Sequence, residues 1–436
     1  MHAVSLSRAV SKITLVNMLL TVAGFITAPI IGRALGADGR GQLAAIIATI
    51  TLLQPVLGLG LGIFAAREVA AGRSVGELLG TLVPLTVGLA AVGMVGGWFI
   101  AGPLSEGDET VRTFLRIGFL LAPVSLIAGV LQAILTGQQR WDRLLLARAI
   151  PTILAVVAIP VLVALDELNV ASAATVAIVG GVASILPTLH LLAHGWRPRW
   201  DRGELGRALS FGSRAWAGGF ANIANLRLDQ VLMISLTTDR QLGLYAVAVT
   251  IATAPSVLPG AVAGPLLARV SAGDRGLAAR ATRTTLMLVA VAHVVIGALS
   301  VPVVLVLFGD QFVGAIAMVW ALLVAGLPLA GGILLNHALS ADGAPGRTAM
   351  AQFVGLVVTV PLLLVLVPEY GGRGAALASI AAYGASFLVL ARATIRRGLA
   401  RNARDLLVVR RDDLAWLCMT VRQWWSELRS TRGSQG

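Results

Sequence analysis

The sequence predicts an all-α integral membrane protein of about twelve transmembrane helices, built as two six-helix lobes that repeat in parallel. Three observations lead there. Hydrophobic residues make up 57% of the chain and charged residues 13%, with a mean hydropathy of +0.85; an ordinary soluble domain carries about 25% charged residues. The apolar residues fall in runs of roughly 20, the length of helix that crosses a ~30 Å hydrocarbon core. The chain also repeats itself at a shift of 202: Gly41, Ala44, Gly58, Gly62, Ala66, Arg67, Ala70 and Arg73 are matched by Gly243, Ala246, Gly260, Gly264, Ala268, Arg269, Ala272 and Arg275. The same shift carries Glu167, Ala173, Ala174 and Ser184 onto Glu369, Ala375, Ala376 and Ser386. Parallel repeats of this kind are a common plan for secondary transporters.

In order, the first half holds runs near 13–32, 42–66, 78–101, 114–136, 144–165 and 170–193. The second holds runs near 209–236, 243–268, 284–308, 312–338, 348–367 and 374–391. The first run follows Arg8 and Lys12 but is too long for a signal h-region, so it reads as an uncleaved anchor. Gly58, Gly60 and Gly62 in the second run, and Gly93, Gly96 and Gly97 in the third, permit close helix contact, as in any bundle. Pro29, Pro55, Pro84 and Pro123 sit inside runs, where each removes a backbone donor and kinks its helix. Pro255, Pro259 and Pro265 make the eighth run a bent helix, either a gate or a static curve. The lobes are thus expected over 1–194 and 208–392, joined by a polar connector over 195–207 and followed by a tail over 393–436.

The formal charge of +13 does not indicate nucleic-acid binding. Cytoplasmic loops of membrane proteins collect Arg and Lys. With the N-terminus inside, inner loops hold Arg140, Arg143 and Arg148, then Arg197, Arg199, Arg202 and Arg207, then Arg269, Arg275, Arg280 and Arg283. Outer loops hold Glu106, Asp108 and Glu109, then Asp166 and Glu167, then Asp310; Arg33 and Arg40 are the exception. Both termini are therefore expected in the cytoplasm. Cys418 is the one cysteine, so no internal disulfide forms. In the tail, Arg396, Arg397, Arg401 and Arg404 precede Leu414, Leu417, Val421, Trp424, Trp425 and Leu428 at helical spacing. A basic amphipathic helix of this kind lies in the headgroup layer with anionic membrane lipids as its partner; a partly disordered basic tail is the alternative.

The seventh run is the most polar. Arg214, Gly218, Asn222, Asn225 and Asp229 follow at steps of three and four along one helix face. Polar groups at mid-membrane face a cavity or a partner helix, so the stripe is either a cavity wall or an inter-helix network. Asp229 is the one carboxylate placed well inside a run; Arg227 lies on another face. Thr14, Asn17 and Thr21 form a weaker stripe in the first run, and Arg33 marks its outer end as a cavity guard or an interfacial anchor. His293, Asn336 and His337 are further buried polar positions. A histidine there can carry a coupling proton, as can Asp229, or simply pack a helix. The sequence has no GxxxxGK[ST] phosphate loop and no cluster with metal-ligand spacing, so neither cofactor, metal nor catalysis is expected.

Leu209-Ser-Phe-Gly, Arg227-Leu-Asp-Gln230 and Leu242-Gly-Leu-Tyr-Ala-Val-Ala248 resemble the start of the second half of bacterial oligosaccharide flippases of the polysaccharide biosynthesis/O-antigen type. These belong to the multidrug/oligosaccharidyl-lipid/polysaccharide exporter (MOP) superfamily. Gly32-Arg-Ala-Leu-Gly-Ala-Asp-Gly-Arg-Gly41 is similar to their first-loop signature, and Val367-Pro-Glu-Tyr-Gly-Gly-Arg-Gly-Ala-Ala-Leu-Ala-Ser379 to their eleventh-to-twelfth helix turn. The resemblance covers roughly residues 5–395. It implies two lobes around a cavity that opens alternately to each side of the bacterial cytoplasmic membrane. It also implies a polyprenyl-diphosphate-linked oligosaccharide as cargo, and a polysaccharide polymerase and glycosyltransferases as protein partners. Such a cargo needs Arg and Asn within the cavity, for which Arg214, Asn222 and Asn225 are suited, and an apolar side slot for the lipid tail. The rival is an ion-coupled drug or metabolite exporter of the same superfamily, kept open by Asp229. A non-transporting scaffold acting through its basic tail is a third reading.

Overall fold

A computed structural model describes residues 2–105, 107–193, 195–198, 201–410 and 412–413; the side chains of 2–15, 202, 214–215, 217–218 and 222 fall outside that description. Among the described residues the fold is all helical. The first half comprises α1 (His2–Leu57), α2 (Leu61–Ala70), α3 (Val75–Leu104), α4 (Glu109–Leu120), α5 (Ala122–Gly137), α6 (Trp141–Ala164) and α7 (Val170–Ala183). The second comprises α8 (Arg202–Ile234), α9 (Asp239–Thr253), α10 (Val257–Ser271), α11 (Leu277–Val303), α12 (Ala315–Ala341), α13 (Pro345–Tyr370) and α14 (Gly372–Arg396), with a short α15 (Ala403–Leu407) beyond.

Nine helices are long and apolar enough to cross a membrane among the described residues, or ten when α4 and α5, bent by 49° at their junction, are one span. The sequence predicts about twelve, and two features bear on the difference. Gly36 divides α1 with φ 71° and ψ −179°, a conformation open to glycine, and the 42-residue stretch Val16–Leu57 is twice the length a bilayer needs. The 33-residue α8 is long enough but polar.

Three expectations are corrected. No irregular loop separates the first two runs, since helix continues to either side of Gly36. The second run is not continuous to 66: it breaks at Gly58–Gly60, where Leu59 has φ 40° and Gly60 φ 71°. The sixth run leaves the α-helix after Ala183 and ends as a 3-10 turn over Leu186–Ala193. The bend in the eighth run falls at a 3-10 turn over Ala254–Ser256, built around Pro255. The second span of each half is therefore broken, though at positions six residues out of register under the shift of 202.

The repeat is visible as a reciprocal contact. A Cβ on Gly41 would overlap the carbonyl of Asp239, and a Cβ on Gly243 would overlap that of Ala37. Residues 37 and 239, and 41 and 243, are related by the shift of 202 found in the sequence, so a pseudo-twofold axis runs between α1 and α9. Only glycine lets these backbones approach so closely. This contact joins the halves at the end of the bundle opposite the connector. Around it, Tyr245, Phe312, Leu244 and Val247 form the core of the second half. Leu61, Phe64, Leu78, Leu79 and Leu131 form a core of the first, which also takes in Ala208 and Phe211 of α8. Glu204, ion-paired to Arg73 at 2.9 Å and accepting from Thr81 at 3.0 Å, holds the start of α8 on the first half.

Candidate functional site: a cavity between the halves

At the connector end the halves separate around a cavity of about 1070 Å³. Its polar lining comes from Arg67 and Glu68 on α2, Arg207 and Ser210 on α8, Asn336 on α12 and Gln352 on α13. The break at Gly58–Gly60 lets α2 set off in a new direction and brings Arg67 to this wall. The Arg67 guanidinium lies 4.5 Å from the centre of the Phe211 ring, a cation–π arrangement that orients it without consuming its hydrogen-bond donors.

A second, apolar cavity of about 280 Å³ adjoins the first, with Gly219 lining both. Its walls include Leu61, Ile63, Leu89, Leu126, Trp216 and Phe220. Trp216 and Phe220 stack at 4.9 Å and 17°. The broken span explains the position of Trp216: the helix no longer uses the Pro55 carbonyl, and the Trp216 indole N–H donates to it instead. That bond links the halves, as does the backbone contact of Gly60 with Gly212.

A third cavity, about 70 Å³, lies within the second half and is lined by Asp229, Tyr245, His293, Ser256 and Tyr383 among apolar residues. Asp229, buried, accepts from the Tyr245 hydroxyl and from the Gln230 amide at 2.8 Å. The Tyr245 and Ser379 hydroxyls are 3.4 Å apart. One turn away, Asn225 donates to the Gln352 carbonyl at 2.8 Å and accepts from Thr359 at 3.4 Å, while Tyr383 donates to its carbonyl at 3.1 Å. This network ties α8 to α9, α13 and α14.

Asn225 and Asp229 thus share a helix face, as their spacing required, but that face meets neighbouring helices instead of the large cavity. Gln352 alone carries the network to the cavity wall. Arg214 and Asn222 lie on α8, and their side chains are outside the described residues, as is the tail from 414 onward. Arg227 is exposed and Asn17 is exposed on the first part of α1. Arg33 donates to the Val306 carbonyl, which a π-turn over Val304–Phe308 leaves available. His293 shares the small cavity with Asp229. His337, half-buried, instead donates from Nδ1 to Ile333 of its own helix at 2.8 Å. Sequence reasoning missed Arg67 and Arg207 as cavity residues, and Tyr245 as the partner of Asp229. Arg67 was marked by its place in the repeat; nothing local marked the others. No group of three or more metal-ligating side chains occurs among the described residues.

Comparison with known proteins agrees with this architecture. A family model described as polysaccharide biosynthesis protein matches residues 6–270. No curated protein sequence matches the chain. Among solved structures, an inward closed lipid II flippase MurJ superposes with a TM-score of 0.74 at 13% identity, covering 90% of each chain. An inward-facing multidrug resistance MATE transporter of the MOP superfamily gives 0.70 at 16% identity, over 87% of this chain and 94% of that one. The MATE multidrug transporter DinF-BH gives 0.62 at 13% identity, over 92% and 97%. With more than half its length matched by that family model, the chain belongs to the polysaccharide biosynthesis protein family, and its fold is that of the MurJ and MATE structures.

Proposed function

We propose that this multi-pass membrane protein is a flippase that moves polyprenyl-diphosphate-linked oligosaccharide from the cytoplasmic to the outer leaflet of a bacterial cytoplasmic membrane. The observation that carries this reading is the adjacency of two cavities with opposite chemistry. The large one offers Arg67, Arg207, Asn336 and Gln352, donors suited to a diphosphate and to sugar hydroxyls; the planar guanidinium gives several N–H groups to phosphate. The apolar one, joined to it at Gly219, suits the first isoprene units of a lipid tail. A cationic drug would be served poorly by a cavity whose arginines outnumber its carboxylate.

The arginine-rich connector end is the cytoplasmic side by the loop-charge rule, which places both termini inside and makes this an inward-open state. Loading from the inner leaflet precedes parting of the Gly41–Gly243 contact and closure of the connector end across the large cavity. The small cavity holding Asp229, Tyr245 and His293 has room for a coupling cation or proton and not for a cargo. Ion-coupled export of a small molecule is the second reading, favoured by that buried carboxylate. A polymerase and glycosyltransferases would act on either side of the step.

The test is the lipid-linked oligosaccharide pool of depleted cells, split by leaflet with a membrane-impermeant glycosidase. A protected pool that falls on re-expression supports flipping and identifies the cargo by mass. An unchanged pool with an altered drug-resistance profile would overturn it in favour of the exporter.

A further inference from the structure

Beyond α14 the chain turns at Gly398 (φ 73°) and runs back along the start of α11. Aspartates hold it there. Asp413 is fully buried and accepts from Nε and Nη2 of Arg283 at 2.5 and 2.6 Å, with Arg280 Nε at 3.4 Å. Asp405 accepts from Arg410 at 2.6 Å and lies 3.4 Å from Arg283. Nearby, Arg397 and Arg275 both pair with Asp342, at 2.6 and 2.7 Å, fixing the end of α14 to the turn between α12 and α13.

The returning segment encloses a cavity of about 470 Å³, lined by Arg269, Arg280, Arg283, Arg401 and Arg410 against Asp274 and Asp405. With Asp413 behind Arg283, five cations meet three carboxylates, and two positive charges stay uncompensated. Arg283 is saturated by its aspartates. Arg401 makes no ion pair among the described residues, and Arg280 and Arg410 retain N–H groups beyond those their aspartates use. The cavity lies where α10 ends at Ser271, α11 begins at Leu277 and α14 ends at Arg396. Apolar spans give way to polar chain there, at headgroup height.

We propose that this cavity binds the phosphate headgroup of an anionic phospholipid, with a two-phosphate headgroup matching its two uncompensated charges. Guanidinium forks fit phosphate oxygens in bidentate fashion, and basic pockets between membrane helices on the cytoplasmic side recognise such headgroups. A free phosphate anion would meet the same donors. The lipid is favoured because a headgroup reaches this height already anchored in the bilayer. A bound headgroup bridges the α10–α11 turn and the returning segment, bracing the ion pairs of Asp405 and Asp413. The site shares no lining residue with the cavity between the halves and stands whatever the cargo is.

The experiment is native mass spectrometry with thermal unfolding of the purified full chain, offered diphosphatidylglycerol, phosphatidylethanolamine or inorganic pyrophosphate. Wild type is expected to retain diphosphatidylglycerol in preference to phosphatidylethanolamine and to melt at a higher temperature with it. Each arginine removed should weaken retention about fivefold, so Arg269→Gln with Arg401→Gln should lose about twenty-fivefold, while Arg401→Lys keeps most of it. If the double variant is unstable, Arg401→Gln alone, a change of an exposed side chain, carries the test through its own fivefold loss. Retention equal to wild type in a folded variant overturns the site and moves lipid binding to residues such as Arg422 and Arg429. Stabilisation by pyrophosphate without lipid preference overturns the lipid assignment and leaves a free anion site.

Discussion

The reciprocal contact of Gly41 and Gly243 permits a quantitative test of how the halves move. Each glycine faces a backbone carbonyl of the opposite half, Asp239 for Gly41 and Ala37 for Gly243. No rotamer change can relieve an overlap with backbone. Adding a methylene-sized group to such a packed contact costs ~1–3 kcal/mol. Alanine in place of a helical glycine also gains ~1 kcal/mol of helix propensity, but that gain is the same whether the ends touch or part, because both helices persist. The clash exists only while they touch. Gly243→Ala is therefore expected to shift the population toward separated ends by about 5- to 150-fold, the range that ~1–3 kcal/mol spans. Spin labels at Asp38 and Arg240, both exposed at this end, report the separation by double electron–electron resonance in a Cys418→Ser background. A longer-distance population should appear. Gly41→Ala should produce the same shift, because the two positions are related by the repeat. Unchanged distances in both variants would refute the gate, and a shift in only one would refute its symmetry.

Further outcomes follow from the other sites. Arg67→Gln and Arg207→Gln should each slow flipping in proteoliposomes about ten- to a hundredfold, the worth of a hydrogen bond to a charged group, while the variants insert normally; Arg214→Ala and Asn222→Ala should also impair transport, and wild-type rates in all four would remove the cavity assignment. Asp229→Asn and Tyr245→Phe should each abolish the response of flipping to an imposed ion gradient; a retained response excludes the small cavity from coupling. Hydrogen bonds from Arg283 hold the Asp413 carboxyl below the usual carboxylate range. A carboxyl lowered in the folded state contributes stability above its unfolded value of ~3.9 and loses it as pH falls through the lower folded value. Limited proteolysis should thus find residues 403–413 protected at pH 5 and cleaved only in stronger acid, whereas Asp413→Asn should expose them at pH 7, since breaking one side of a buried pair costs ~3–5 kcal/mol.

How far the sequence reached is clearest in α8. Spacing placed Asn225 and Asp229 on one face, because helical periodicity is local. It could not decide between a cavity wall and an inter-helix network, because both satisfy a polar group at mid-membrane. Tyr245 and Gln352, from α9 and α13, decide it by filling the space opposite. Arg67 shows the converse. It reads as a loop-proximal charge, yet the break at Gly58–Gly60 swings α2 so that its side chain reaches the cavity. A break of this kind depends on the Trp216 indole capping a freed carbonyl from another helix.

Hydropathy and the repeat at 202 residues determined the helical membrane fold and its two similar halves, because each rests on transfer energies and spacings that act along the chain; the resemblance to a known family came separately, from short motifs such as Leu242–Ala248. Tertiary structure decided where the halves touch and where they part. It assigned the first turns of α8 to the core of the first half through Glu204 and Phe211, paired Asp229 with Tyr245, and drew five arginines around one cavity at the end of the second half. Those outcomes depend on backbone approach and charge pairing between residues up to more than a hundred positions apart, such as Arg283 and Asp413, and such distances are set only when the helices pack.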